Sequence, residues 1–329
     1  MSSFRTQFQI PLPGFDIQHH HSLMVIGSCF AEHIGARLKA FKFKATLNPF
    51  GILYHPVAIA TALQHLFHST SFLEKDLRFH NGLWHSFDHH GRFNRPEAGE
   101  VLRGINTELA AGAAAIREAD FLLLTLGTSS VFTLKETGKI VANCHKLPGY
   151  NFDRKRLSVQ EIMDAFTPPF KEFIRQRPAG RIMLTVSPVR HLREGFVENQ
   201  RSKAVLILAV EALCREFDFV SYFPAYELLL DDLRDYRFYA EDMIHPAQVA
   251  TDYIWSHWSS TYFKEETRQI IRALERIQTS LSHRPFQPES AAHFEFLEKL
   301  QREINTLEAQ WPFLDFSEER CRSRNIKPA

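Results

Sequence analysis

Short apolar runs alternating with helical patterns predict an α/β fold, a three-layer α/β/α sandwich around a mostly parallel central sheet. Three observations carry that expectation. Four runs, at Ser22–Gly27, 120–126, Arg181–Val186 and 218–223, are short, continuously apolar and bounded by turn residues, as strands covered on both faces must be. Segments of helical period lie among them at 31–41, 56–67, 108–118, 159–175 and 199–217, the order that winds a parallel sheet. With 329 residues, 44% of them hydrophobic and 23% charged, the chain has the material for one large core and an appendage.

Charge and composition narrow the function classes. A formal net charge of +1, from 39 basic and 38 acidic residues, argues against a nucleic-acid partner, because proteins that grip phosphate backbones concentrate Lys and Arg. The first residues, MSSFRTQFQIPLP, lack the basic start, apolar stretch and small-residue cleavage site of a secretory signal. The most apolar runs, Phe121–Leu126 and 204–210, are too short to cross a bilayer, so no membrane association is expected. Cys29, Cys144, Cys214 and Cys321 are scattered without CxxC spacing, which argues against a zinc ribbon or disulfide framework and for a reducing cytoplasm. No repeat of fixed period is visible.

The α/β domain is expected to span 1–262, with irregular insertions near 69–104 and 134–157. The first of these is rich in His, Phe, Trp, Asn and Gly. Either could contact substrate or be a packed appendage. Residues 263–329 read as a C-terminal helical extension. Ile270, Leu274, Ile277 and Leu281 fall at helical spacing, as do Leu297, Leu300, Ile304 and Leu307. A turn with Pro285 and Pro288 separates them, and Ser290 is a candidate N-cap. A hairpin lying on the main domain and an arm for a homodimer both fit this narrow apolar seam.

In open parallel sheets the ligand crevice lies beyond the carboxyl ends of the strands. The first strand ends in Gly27-Ser28, where the glycine lets the chain bend and the serine starts a helix. There its hydroxyl can face the crevice and its N–H a developing oxyanion; capping the helix is the plainer use of such a serine. Far downstream, Asp242 and His245 stand three residues apart in a turn before a helix, with Pro246 suited to that helix's start. This spacing can set a carboxylate against imidazole Nδ1–H and leave Nε2 for a hydroxyl.

Six separated motifs, in order, carry a family resemblance: Gly27-Ser28-Cys29-Phe30-Ala31, Asn48-Pro49-Phe50-Gly51, 125–129 (Thr-Leu-Gly-Thr-Ser), 143–146 (Asn-Cys-His-Lys), 185–190 (Thr-Val-Ser-Pro-Val-Arg), and the stretch from Asp235 to Pro246. On these the chain resembles the GSCFA family, which is similar to the SGNH, or GDSL-like, hydrolase superfamily. The resemblance implies an SGNH-hydrolase/flavodoxin-like fold and a Ser-His-Asp triad, with Ser28 as nucleophile, His245 as base and Asp242 orienting it. It places Ser28 and Gly51 in the oxyanion hole through their backbone amides, although Gly51 also reads as a simple turn glycine. The superfamily's third donor is an asparagine; Ser129 stands there instead, so either Ser129 substitutes or Asn143 or His145 reaches in from the neighbouring segment.

Asn143, His145 and Arg190 are the candidate substrate-binding residues. Arg190 follows a strand and could hold a carboxylate or phosphate, or an ion pair within the loop. Cys144 and His145, adjacent in the chain, make a poor thiol dyad, and Cys29 is expected to turn toward the sheet. The run His19–His20–His21 reads as solvated loop, and His80, His85, His89 and His90 are not taken as a metal site. The expected reaction is hydrolysis of an ester, with a small acyl group such as acetyl on a small molecule or carbohydrate, needing no metal or organic cofactor. Two alternatives are O-acyl transfer by the same triad and a non-catalytic carbohydrate-binding or scaffold protein.

Overall fold

The structure, a computed structural model, describes residues 6, 8–283, 286–287 and 290–325. Among the described residues ten strands are formed: β1 (Ser22–Gly27), β2 (Lys44–Leu47), β3 (Leu77–His80), β4 (Leu83–Ser86), β5 (Phe121–Leu126), β6 (Ser130–Leu134), β7 (Ile140–Val141), β8 (Phe152–Arg156), β9 (Arg181–Val186) and β10 (Val220–Phe223). The helices are α1 (Cys29–Ala40), α2 (Pro56–His68), α3 (Ala98–Glu118), α4 (Val159–Gln176), α5 (Gly195–Glu216), the short α6 (Ala225–Glu227), α7 (Gln248–Tyr262), α8 (Glu265–Ser282), α9 (Ala291–Gln310) and α10 (Ser317–Asn325).

Five strands pair in parallel in the order β2-β1-β5-β9-β10. The expected α/β sandwich with a parallel sheet is therefore what the chain forms, and the order reverses direction between β1 and β5, the place where open α/β sheets generally bind ligands. Alternate residues face opposite layers. Met24, Ile26, Leu122, Leu124, Ile182 and Leu184 pack under α2–α5. Leu23, Val25, Phe121, Leu123 and Met183 pack under α1, α7 and the C-terminal helices.

Two features depart from the expected element map. The edge strand β2 is short and only partly buried, so it lacks the continuous apolar run that marks the inner strands β1, β5 and β9. Helix α3 begins at Ala98 rather than near 108, and its first turns cover the end of the 69–104 insertion. The rest of that insertion holds the β3–β4 hairpin, and 134–157 completes an antiparallel sheet of order β7-β6-β8.

Helices α8 and α9 form the expected hairpin and fold back onto the domain. Ile270, Leu274, Ile277, Leu281, Leu300, Ile304 and Leu307 are buried in the same cluster as Phe30, Ile34 and Trp258. Ser290 caps α9 by accepting from the His293 amide at 3.2 Å. The turn residues Pro285 and Pro288 lie outside the described residues. Among the described residues no helix is long and apolar enough to cross a membrane, and no group of three or more His, Cys, Asp or Glu side chains is arranged for a metal ion.

Candidate active site

Gly27 ends β1 at φ +150°, and a Cβ there would lie 2.4 Å from the Thr125 carbonyl oxygen of the neighbouring strand. Only glycine lets β1 run this close to β5 and then turn. Ser28 follows as the N-cap residue of α1, with extended backbone (φ −71°, ψ 179°). Its hydroxyl forms no capping bond. It is fully buried and has no hydrogen-bond partner among the described residues. Helix capping, the plainer use of this serine, is thus not what the side chain does. The hydroxyl is also covered over, instead of facing an open crevice as expected, and it forms no hydrogen bond to His245.

Asp242 and His245 meet as the spacing predicts. Asp242 Oδ2 lies 2.6 Å from His245 Nδ1. An ionised carboxylate can only accept, so the proton sits on Nδ1 and Nε2 is left free. Asp242 Oδ1 accepts the amides of Ile244 at 2.9 Å and His245 at 3.0 Å. The His245 amide, its imidazole and the Ile244 amide together pull the Asp242 carboxyl down to about 2, so the pair stays charged on the carboxylate side until pH falls through that value. Met243, at φ +57°, makes the tight reversal between them. Burial lowers the pKa of His33 on α1 and of His191 after β9, with His245 contributing a smaller part of each shift.

Arg190 builds this turn; it does not reach for substrate. Its amide donates to the Ile244 carbonyl and its guanidinium to the Met243 carbonyl, each at 3.1 Å. The guanidinium lies 3.8 Å over the Tyr239 ring centre and 5.2 Å from that of Tyr236, so its planar face is stacked within the turn. Replacing Arg190 by alanine is expected to raise hydrogen exchange at the Ile244 and His245 amides about tenfold, with lysine failing to restore protection. Unchanged exchange would show that Arg190 does not hold the turn.

The oxyanion donors differ from those expected. Ser129 is fully buried and ties β5 to α5: its amide donates to Ser202 Oγ at 2.7 Å, and its hydroxyl to the Ser202 carbonyl and Oγ at 3.1 Å. It has no donor to spare. The Gly51 amide donates to the Asn48 carbonyl at 2.7 Å and is likewise used. Glycine is needed at 51 for another reason, since φ is +75° and a Cβ would sit 2.3 Å from that of His90. His145 turns to the β4 side, with Nε2 2.7 Å from the Ser86 carbonyl, Nδ1 3.2 Å from Asn94 and its ring stacked on His85. Asn143 accepts the His145 amide at 2.9 Å and lines a neighbouring cleft. Cys29 is half-buried against the α1-side core, and His19, expected in solvent, is buried and stacked on Phe43.

Three residues not singled out in the sequence complete the site. Asn48 follows β2 at φ +43°, a left-handed conformation that asparagine tolerates. It is 0% exposed. The Gly27 amide donates to its Oδ1 at 2.9 Å, which settles the amide orientation, and its Nδ2 is buried without a partner among the described residues. Its carbonyl also accepts Arg92 at 2.9 Å. His191 is held at about 3 by burial, with Lys203 and His245 adding repulsion. Its Nε2 would lie 3.0 Å from a Cβ on Gly127 and has no partner. Lys203 on α5 lies beneath, donating to the carbonyls of Gly127 at 2.7 Å and Ser187 at 2.6 Å. Ser28, Asn48 and His191 thus present three unpaired polar atoms where β1, β2, β5 and β9 end. A buried polar atom without a partner costs about 1–3 kcal/mol, and such groups collect where a ligand completes them.

The GSCFA family pattern matches residues 22–258, and the pattern of the GSCFA domain protein, C-terminal domain, matches 274–325. The chain belongs to the GSCFA family. No curated protein and no solved structure matches it. The GSCFA match runs from the first residue of β1 into α7 and so takes in Ser28, Asn48, Gly127, His191, Asp242 and His245. The second GSCFA pattern covers the second half of α8 and all of α9 and α10.

Proposed function

We propose that this GSCFA protein is a serine-dependent esterase, acting on a small acyl ester through Ser28, His245 and Asp242. The observation that carries the reading is the short Asp242–His245 bond on Nδ1, which leaves Nε2 as the free base. The unpaired Ser28 hydroxyl at the N-terminus of α1 supports it. His245 Nε2 takes the Ser28 proton as Oγ attacks the ester carbonyl, and Asp242 stabilises the resulting imidazolium. The Ser28 amide, at the positive end of α1, and Asn48 Nδ2 receive the oxyanion. His245 returns the proton to the departing alcohol, and a water activated by the same imidazole then releases the acyl group. The resemblance to SGNH hydrolases points to the same chemistry, with Asn48 reaching the hole from β2 in place of the superfamily's asparagine.

The Ser28–His245 hydrogen bond is unmade before substrate arrives, as catalytic bonds often are, so binding must bring the two side chains together. A fluorophosphonate probe tests the reading directly. Covalent labelling is expected at Ser28 and nowhere else, abolished by Ser28→Ala and slowed by His245→Ala. Absence of label on Ser28 after prolonged exposure would remove the serine from the chemistry.

A further inference from the structure

A cleft of about 560 Å³ opens beside the candidate site, between the β9–α5 loop and the β6–β8 sheet. Tyr54, Thr128 and His191 are part of its lining. These are the residues around Gly127: the Tyr54 carbonyl accepts the amides of Gly127 at 2.8 Å and Thr128 at 3.0 Å, and His191 Nε2 packs against Gly127. This part of the cleft therefore adjoins the end of β5, the strand paired with β1 before Ser28. The lining also carries two cations, Lys146 and Arg193, and among the described residues contains no Asp or Glu.

Neither cation has a carboxylate partner among the described residues, although the neighbouring bases do. Lys155 pairs with Glu161 at 2.5 Å, Arg156 with Glu198 at 2.7 Å and Lys139 with Asp88 at 2.7 Å. Arg193 lies over Phe132, 5.6 Å from the ring centre, on a wall the cleft shares. Lys146 is held at φ +60° by a turn in which the Leu147 amide donates to the Cys144 carbonyl at 2.9 Å. His55, the N-cap of α2, also lines the cleft, so the positive end of that helix borders it. A cleft with cations and a helix N-terminus and no acid favours an anion.

We infer that this cleft takes the alcohol half of the substrate and that this half carries an anionic oxygen group, a phosphate or a carboxylate, received by Lys146 and Arg193. The assignment of the alcohol half rests on the esterase reading; the preference for an anion does not. Arg193 offers a planar fork to two oxygens and Lys146 a point charge. A volume of about 560 Å³ leaves room for a polar body, such as a sugar, beside the anion.

Calorimetric titration of the full chain with glucose 6-phosphate, gluconate and glucose tests this without turnover. One or both anions are expected to bind about tenfold more tightly than glucose, with the advantage lost in a Lys146→Asn, Arg193→Gln double variant. Asparagine is chosen because it tolerates the left-handed backbone at 146, and Arg193→Gln alone serves should the double variant melt early. Which anion gains identifies the phosphate or the carboxylate as the recognised group. Equal binding of all three sugars, no binding of any, or an anion advantage that survives the substitutions overturns the inference. Fluorophosphonate labelling of Ser28 is scored separately. Anion preference without labelling discards the esterase reading alone, and labelling without preference discards the anion cleft alone.

Discussion

Ser28→Ala is expected to lower turnover of p-nitrophenyl acetate by about 10⁴- to 10⁶-fold while leaving the protein at least as stable as before. The two halves of this result come from one fact. The Ser28 hydroxyl is fully buried and bonded to nothing, so it costs the folded state about 1–3 kcal/mol. Alanine removes that cost along with the nucleophile. Asn48→Asp is the companion variant, because it keeps the acceptor for the Gly27 amide and removes the free donor. Loss of one oxyanion donor costs about 10²–10³ in turnover, so the aspartate variant should fall well short of the serine knockout. If Ser28→Ala turned over within tenfold of the native protein, Ser28 would not be the nucleophile. If it lost activity and melting temperature together, the hydroxyl would be structural.

The second large effect is expected at Lys203, which is 1% exposed. Burial pulls its pKa down to about 7, and a neutral amine has two N–H bonds for the two carbonyls it meets, those of Gly127 and Ser187. These carbonyls end the β5 and β9 segments that shape the crevice, so one side chain ties both together. Lys203→Met leaves both unpaired in the interior, for a loss of about 3 kcal/mol and a fall in melting temperature of about 6–12 °C. The sign of the pH dependence follows from linkage. The folded pKa lies below the unfolded value of about 10.4, so the unfolded chain binds the proton more tightly between about pH 7 and 10. Native stability then rises with pH across that window, and the methionine variant lacks the rise. The gap between the two proteins should widen toward pH 10. Parallel stability curves would mean that Lys203 stays charged in the folded state.

Local relations were legible in the sequence, and distant ones were not. Asp242 and His245 are three residues apart, so their contact is a property of one turn and could be read from spacing. The inner strands β1, β5 and β9 announced themselves because burial on both faces demands continuous apolar residues. Strand β2, at the edge and only partly buried, makes no such demand. The engagement of the Gly51 and Ser129 donors was not legible because donors are shared across the fold. Ser129 gives its amide and hydroxyl to Ser202, 73 positions away, and nothing near Ser129 signals that. Arg190 and His191 are neighbours pointing different ways, and the sequence could not say which one faces the cleft. Asn48 carried a faint signal, an asparagine in a turn ending in glycine, where left-handed backbone is common.

The crowding at Gly27 bears on how relatives of this protein should be sorted. A side chain at that position would collide with Thr125 whatever the next residue does. A relative that lacks Ser28 would therefore still be obliged to keep the glycine, simply to let two adjacent strands lie side by side. Retention of Gly27 reports architecture alone; the proposed chemistry is better traced by joint survival of Ser28, Asn48, Asp242 and His245.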